Sequence, residues 1–179
     1  MSNKHFALWL LGPTSSGKTT LASQVVTRLE EQGLPVIHFD GDEIREFFGP
    51  NLGFSNAERL QVVKTLVHLV NKSERAGLNV VVSALTANKD ARLYVAESIK
   101  CLMILCYVKC SIDVCALRDP KGLYRIAQKG EIDTLAGYNS EYLSPEKADV
   151  IVDSEIFSIT EGTDLIVNYL ISRGLLGHA

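Results

Sequence analysis

Residues 12–19 read Gly12-Pro-Thr-Ser-Ser-Gly17-Lys18-Thr19, set between the apolar run Phe6–Leu11 (FALWLL) and a segment with helical periodicity. The order of these three pieces decides the fold. A short apolar run stopped by Gly-Pro is a buried strand. Leu21, Ala22, Val25, Val26 and Leu29 recur at helical spacing within 18–32, and Gly33 stands where a C-terminal cap belongs. The octapeptide itself fits G-x-x-x-x-G-K-[ST], in the strand-loop-helix context that the pattern requires. Its glycines let the loop wrap, so that successive backbone N–H groups point inward at phosphate oxygens. The helix that follows adds partial positive charge at its N-terminus. Gly12, Pro13, Thr14, Ser15, Ser16, Gly17, Lys18, Thr19 and Thr20 are therefore expected to cradle the phosphates of a nucleoside triphosphate. Lys18 is expected on the β- and γ-phosphates and the Thr19 hydroxyl on Mg²⁺.

Working outward, strands and helices alternate. Val36–Phe39 is a second strand, ending at Asp40. Ser55-Asn-Ala-Glu58 is a capping box, and the helix it opens carries Leu60, Val63, Leu66, Val67 and Val70 on one face before stopping near Gly77. Val80–Val82 is a third strand and Asp90–Ser98 a helix. Leu102–Val108 is a fourth strand, almost entirely apolar, as when both faces are covered. A short helix at Ser111–Leu117 is capped by Ser111, Val150–Val152 is a fifth strand, and Ile159–Leu170 is a closing helix. The alternation predicts an α/β fold: a P-loop NTPase three-layer sandwich, with a mostly parallel sheet and helices on both faces. Residues 119–148, rich in Gly, Pro and charge, read as one long irregular lid loop. The whole of 1–179 is expected to be a single domain.

Composition narrows the partners. The chain has 179 residues, with Lys+Arg 18 against Asp+Glu 21, a net charge of −3. That lacks the basic footprint of a nucleic-acid or anionic-membrane binder. Phe6–Leu11 is far shorter than the roughly 20 residues needed to span a bilayer, and no cleavage pattern follows it. Cys101, Cys106, Cys110 and Cys115 form no C-x-x-C pair, so zinc is not expected. Cys101 and Cys106 sit in or beside an apolar run and read as reduced thiols, which points to a cytoplasmic protein.

In such a sheet, ligands bind at the carboxyl ends of the strands. Asp40-Gly41-Asp42-Glu43-Ile44-Arg45 begins where the second strand ends, on the same rim as the phosphate loop. Phosphoryl transfer needs a carboxylate to orient or deprotonate the acceptor hydroxyl, and cations around the moving group. Asp40 is the candidate base or outer-sphere Mg²⁺ ligand and Arg45 an acceptor-anchoring cation. The plainer alternative is a solvated turn with Asp42 as a helix N-cap. His38 and His68 read as structural, with no carboxylate partner evident beside them, and Trp9 as core. Lys89 and Arg92, at the start of a helix after the third strand, are either solvated charge or binders of an acceptor phosphate.

Five segments carry a resemblance to a known family: GPTSSGKTT (12–20), FDGDEIR (39–45), LGFSNAER (52–59), CALRDPKGLYRIAQKGEI (115–132) and AGYNSEYLSPEKADVIVD (136–153). Over nearly its whole length the chain resembles the adenylylsulfate kinases. The resemblance implies Mg²⁺-ATP as donor and transfer of the γ-phosphoryl group to the 3′-hydroxyl of adenosine 5′-phosphosulfate (APS), giving PAPS and ADP. It also implies a homodimer acting on a small-molecule nucleotide. By this resemblance Asp40 is catalytic together with Lys18, Arg118 belongs to the nucleotide donor, and Asp42 and Arg45 lie near the acceptor. Phe54 stacks on the acceptor base and Arg59 contacts its phosphosulfate. Leu85 and Thr86 lie on the acceptor side, and Lys121, Gly122 and Leu123 line it.

The chain departs from the family at several places on that side. Val62 stands where the family has an acceptor-binding Asn, and Lys64 where it has Arg. Leu85-Thr86-Ala87-Asn88-Lys89 replaces a Pro-containing stretch, and Gln128 replaces a lid arginine. A site that loses a polar contact commonly loses discrimination. These changes raise an alternative acceptor, such as cytidine diphosphoramidate, offering the same 3′-hydroxyl.

Overall fold

A computed structural model describes residues 5–177, so the outermost ends of the 1–179 assignment lie outside the described residues. β1 (Phe6–Leu11) lies at the centre of a five-stranded sheet of order β2-β3-β1-β4-β5. Its neighbours are β3 (Asn79–Ser83) and β4 (Leu102–Lys109), with β2 (Val36–Asp40) and β5 (Val150–Asp153) at the edges; every pairing is parallel. All six residues of β1 are buried because both faces are covered. Phe6, Leu8 and Leu10 point to one side, onto Leu21, Val25 and Leu29 of α1 (Lys18–Glu31) and Ile166 and Leu170 of α7 (Ile159–Ser172). Ala7, Trp9 and Leu11 point to the other, onto Val63, Leu66 and Val70 of α3 (Asn56–Arg75) and Val95 of α4 (Lys89–Ser98). Each leucine so placed contributes about 1.5–3 kcal/mol relative to exposure. The expected three layers are present.

The Ser55 capping box forms, with the Ser55 side chain taking the Glu58 N–H and Glu58 reaching back to the Ser55 N–H. One helix was not expected, and another was weighed only as an alternative with a different cap. α2 (Gly41–Phe47) follows β2 directly, and it is Asp40, not Asp42, that caps it: Asp40 keeps an extended backbone and accepts from the Asp42 N–H at 2.8 Å. Asp42 lies inside the first turn. Within 119–148, the stretch expected to be irregular, α6 (Leu123–Gln128) follows α5 (Ile112–Arg118). Tyr124 and Ala127, one turn apart, bury themselves against Cys110, Cys115 and Leu135 in a small separate core. Local apolar spacing hidden among charges makes this part of 119–148 a packed element. The Tyr124 hydroxyl donates to the Thr14 carbonyl at 3.0 Å, tying α6 to the loop after β1. Among the described residues, no helix is long and apolar enough to cross a membrane.

Candidate active site

The carboxyl ends of all five strands open on one cavity of about 790 Å³. The loop after β1 forms its floor. Gly17 caps α1 in the left-handed region, φ 96°, and Ser15 lies there too, at φ 65°. The first N–H groups of α1 have no carbonyl four residues back, so they remain donors for an outside ligand. The Ser15 and Ser16 hydroxyls are buried without a partner, which in a folded interior calls for an anion or water to complete them. Thr86 (φ 43°) and Asp119 (φ 23°) are the other non-glycine residues at positive φ among those described. One borders the cavity and the other begins the lid, so the strained backbone gathers at this end of the sheet.

Lys18 Nζ donates to the Pro13 carbonyl at 2.7 Å, leaving two of its three protons for other acceptors. Burial lowers its pKa to about 8, against the opposing pull of Asp42, Cys115 and Asp40. Thr19 Oγ1 donates to Asp40 Oδ2 at 2.7 Å, and Ser83 Oγ to the same oxygen at 2.6 Å. Burial pushes against the Asp40 charge, but the Ser83, Thr19 and Asp42 donors outweigh it and hold the carboxyl below its ordinary range. The Thr19 oxygen keeps its lone pairs while its proton is held by Asp40, and a hydroxyl so oriented suits Mg²⁺, which is commonly held by one or two protein oxygens plus phosphates, with the carboxylate at one remove from the metal.

His38 was expected to be structural with no carboxylate partner. It has one at second hand: His38 Nε2 lies 2.9 Å from Ser83 Oγ, the same atom that donates to Asp40. Burial lowers the His38 pKa, against the raising effect of Asp40 and Glu43.

Across the cavity, Phe54 presents its ring with the Arg45 guanidinium 4.5 Å and the Arg59 guanidinium 5.7 Å from the centroid. Arg59 also donates to the Phe54 carbonyl at 2.9 Å and to the Thr134 carbonyl at 2.5 Å, pinning α3 to the lid. Lys121 Nζ sits 2.5 Å from Asp42 Oδ2. Arg118 is braced by Ser154, through both its hydroxyl (3.0 Å) and its carbonyl (2.6 Å). Lys18, Arg45, Arg59, Arg118 and Lys121 therefore line one cleft, facing Asp40, Asp42, Glu43 and Glu46. The chain is acidic overall, yet this cleft carries one more cation than carboxylates, a local balance that favours an anionic ligand.

Most of the residues singled out from sequence line this cavity: Thr14 through Thr20, Asp40, Asp42, Arg45, Phe54, Arg59, Leu85, Thr86, Arg118, Lys121 and Leu123. Gly12, Pro13 and Gly122 do not line it. Thr86 borders the cavity, but its hydroxyl is turned away, accepting from the buried Trp9 Nε1 at 3.0 Å. Lys89 and Arg92 do not line it. Lys89 pairs with Glu146 at the surface, and Arg92 donates to the Thr86, Ala87 and Leu143 carbonyls. Gln128, the departure in the lid, is exposed and also off the cavity. Val62 lies within it, 6% exposed, as part of an apolar wall with Val63 and Ala91. Sequence reasoning missed Ser83 and the Ser154, Phe157 and Ile159 group after β5. All four end or follow strands, so applying the strand-end rule to β3 and β5 as it was applied to β1 and β2 would have found them.

A family model described as adenylylsulphate kinase matches residues 4–153. A probable adenylyl-sulfate kinase of Archaeoglobus fulgidus is 38% identical over 150 residues, covering 84% of this chain and 96% of the relative. One from Pyrococcus abyssi is 37% identical over 171 residues, covering 96% and 98%. Among solved structures, the Mycobacterium tuberculosis APS kinase in complex with AMPPNP and APS superposes with a TM-score of 0.89 at 28% identity, covering 94% of this chain and 98% of that one.

Proposed function

The chain belongs to the adenylylsulphate kinase family, and we propose that it transfers the γ-phosphoryl group of ATP to the 3′-hydroxyl of APS, giving PAPS and ADP. The observation that carries this reading is the convergence of Lys18, Thr19 and Asp40 on one wall of a cavity whose other wall holds Phe54, Arg59 and Lys121. A nucleotide donor laid on the loop after β1 and an acceptor held at Phe54 would meet above Asp40. The M. tuberculosis relative, solved with AMPPNP and APS, supports the pairing of these two ligands.

The roles follow from chemistry. The backbone N–H groups of 14–19 and Lys18 bind the β- and γ-phosphates. Mg²⁺ would be held by Thr19, with Asp40 beside it, and would supply charge neutralisation between the phosphates. Asp40 takes the 3′-hydroxyl proton as the oxygen attacks phosphorus in line, and ADP departs. Arg118 with Phe157 and Ser154 brackets the donor base, while Phe54 stacks on the acceptor base, an interaction worth about 1–3 kcal/mol. Asp42 and Arg45 stand beside the acceptor, Arg59 and Lys121 bind its phosphosulfate, and Leu85, Thr86, Gly122 and Leu123 shape its enclosure. The same reading places a single-domain homodimer in a reducing cytosol, in keeping with four free cysteines and with the apolar side chains of Phe47 and Leu117 on the surface.

The test is a coupled ADP-release assay with Mg²⁺-ATP and a panel of acceptors. Turnover with APS, and a product retained as PAPS on ion-exchange chromatography, is expected. No turnover with APS alongside turnover with another nucleotide would overturn the assignment of the acceptor.

A further inference from the structure

His38 lies on edge strand β2, two residues before Asp40, so both side chains project to the same face of the sheet. In the β2–β3 register, Asp40 is directly opposite Ser83. The three side chains form a line: His38 Nε2 to Ser83 Oγ, 2.9 Å, and Ser83 Oγ to Asp40 Oδ2, 2.6 Å. We propose that His38 is a positioning residue for the phosphoryl-transfer reaction, acting through Ser83 to commit Asp40 Oδ1 as the oxygen that meets the acceptor hydroxyl. The proposal rests on the assignment of Asp40 as the general base.

The direction of the relay follows from counting protons. An ionised carboxylate only accepts, so the single Ser83 hydroxyl proton points at Asp40. Towards His38, Ser83 Oγ can then only accept, and His38 Nε2 must carry the hydrogen. The imidazole thereby fixes the Ser83 rotor, which would otherwise be free to turn.

The consequence follows from counting lone pairs. Asp40 Oδ2 has two acceptor positions, and Ser83 and Thr19 occupy both. Asp40 Oδ1 takes one donor, the Asp42 N–H at 2.8 Å, and keeps one position open. Ser83 is 2% and Asp40 6% exposed, so water is poorly placed to replace a lost donor. With the relay intact, the carboxylate plane is held from three directions and a single oxygen position remains for substrate. Without His38, Ser83 can turn away. Oδ2 then regains an open position and the carboxylate can rotate, misplacing the base at a distance where small errors are costly.

The experiment compares steady-state kinetics of Asp40→Asn, His38→Leu, His38→Gln and Ser83→Ala with Mg²⁺-ATP and APS, with folding of each checked by thermal denaturation. Asp40→Asn is expected to lose at least about 10²-fold in kcat. His38→Leu and Ser83→Ala are each expected to lose about tenfold in kcat with both KM values kept within about twofold. His38→Gln, whose amide can donate to Ser83, is expected to recover most of the loss, and the His38→Leu/Ser83→Ala double variant to be no worse than either single one. An inactive Asp40→Asn beside a fully active His38→Leu would overturn the positioning role and leave the base assignment standing. An active Asp40→Asn would overturn the base assignment itself. Equal losses in His38→Gln and His38→Leu would reduce His38 to packing. If His38→Leu does not fold, the smaller Ser83→Ala decides, and wild-type kcat in it sinks the relay.

Discussion

Lys121 and Asp42 are 79 residues apart in the chain, yet their charges meet at 2.5 Å across the mouth of the cavity. The contact joins the turn between α5 and α6 to the first turn of α2. Both side chains are more than half exposed, so the pair is worth at most about 1 kcal/mol of stability. Its value lies in where it holds Lys121. Lys121→Met is expected to raise KM for APS about tenfold with KM for ATP nearly unchanged, a differential that follows if the cation serves the acceptor's anionic group. Calorimetry should show the unfolding midpoint within about 2–4 °C of wild type. Equal changes in both KM values would show that Lys121 closes the cleft in general and does not serve the acceptor.

Gly12 has no room for a side chain. A Cβ there would collide with the Val108 carbonyl on β4 and lie 2.8 Å from Ser16 Oγ. The Val108 carbonyl is backbone and cannot move without shifting the sheet. Gly12→Ala is expected to destabilise the protein by about 1–3 kcal/mol and to abolish nucleotide binding, measurable by urea unfolding and by titration with a fluorescent ATP analogue. Unchanged binding would mean that the loop tolerates displacement from β4.

Trp9 is fully buried, and its indole N–H has the Thr86 hydroxyl as acceptor. Thr86→Val keeps the shape and removes the acceptor. Leaving that N–H unpaired is expected to cost about 1–3 kcal/mol. If the hydroxyl serves Trp9 and not substrate, kcat and both KM values will stay close to wild type at a temperature where the variant is folded. A large rise in KM for APS would instead place the Thr86 hydroxyl on the acceptor.

The four thiols are free, with Cys106, Cys110 and Cys115 buried and Cys101 half-buried. Burial, together with the Cys110 sulfur, pushes the Cys115 pKa up to about 12, and burial pushes Cys106 higher still. The thiolate is the reactive form, so native protein treated with iodoacetamide near pH 8 should label Cys101 first and Cys106 and Cys115 only on unfolding. Peptide mass spectrometry reads this directly, and rapid labelling of Cys115 in folded protein would contradict it.

Asp119 anchors the start of α6, accepting from the Tyr124 and Arg125 N–H groups at 3.1 Å each. Burial opposes its charge, but these donors and the Arg125 guanidinium prevail and lower its pKa from 3.8. A lowered carboxyl pKa gives stability that is complete above the unfolded-state value and is lost as the pH falls through the folded-state value. The stability gap between wild type and Asp119→Asn should therefore be full at pH 7 and close below about pH 4. Urea titrations at several pH values test this. A gap that persists unchanged in acid would show that shape, and not charge, holds the lid helix.

Much of this was legible in the linear chain because its signals are local. The 3.6-residue spacing after Lys18, the capping box at Ser55 and the unbroken apolar run at Leu102–Val108 each specify an element through neighbours a few residues away. α6 was missed, and α2 entered only as an alternative, because their signals are short. Seven and six residues hold little periodicity, neither helix opens at a serine like the one that marks the equally short α5, and each is held by a contact made outside the helix. Asp40 closes α2, while Asp119 and the Cys115 pocket hold α6. Ser83 and Phe157 carry no motif and become visible only once β3 and β5 are known to end beside β1.

What the sequence determined by itself is the strand-loop-helix at its start and the alternation of strands and helices, because those signals are local; it singles out residues 12–19 and Asp40 as candidates for the phosphate cradle and the base. Only the tertiary structure decided which residues face one another. His38, an ordinary strand histidine along the chain, reaches Asp40 because parallel pairing of β2 with β3 sets Ser83 between them. Arg92, a plausible phosphate ligand along the chain, turns to backbone carbonyls because α4 starts beside the strand-end turn at Thr86 and the lid at Leu143. Direction and register across a sheet are relations between distant segments, and no spacing within either segment records them.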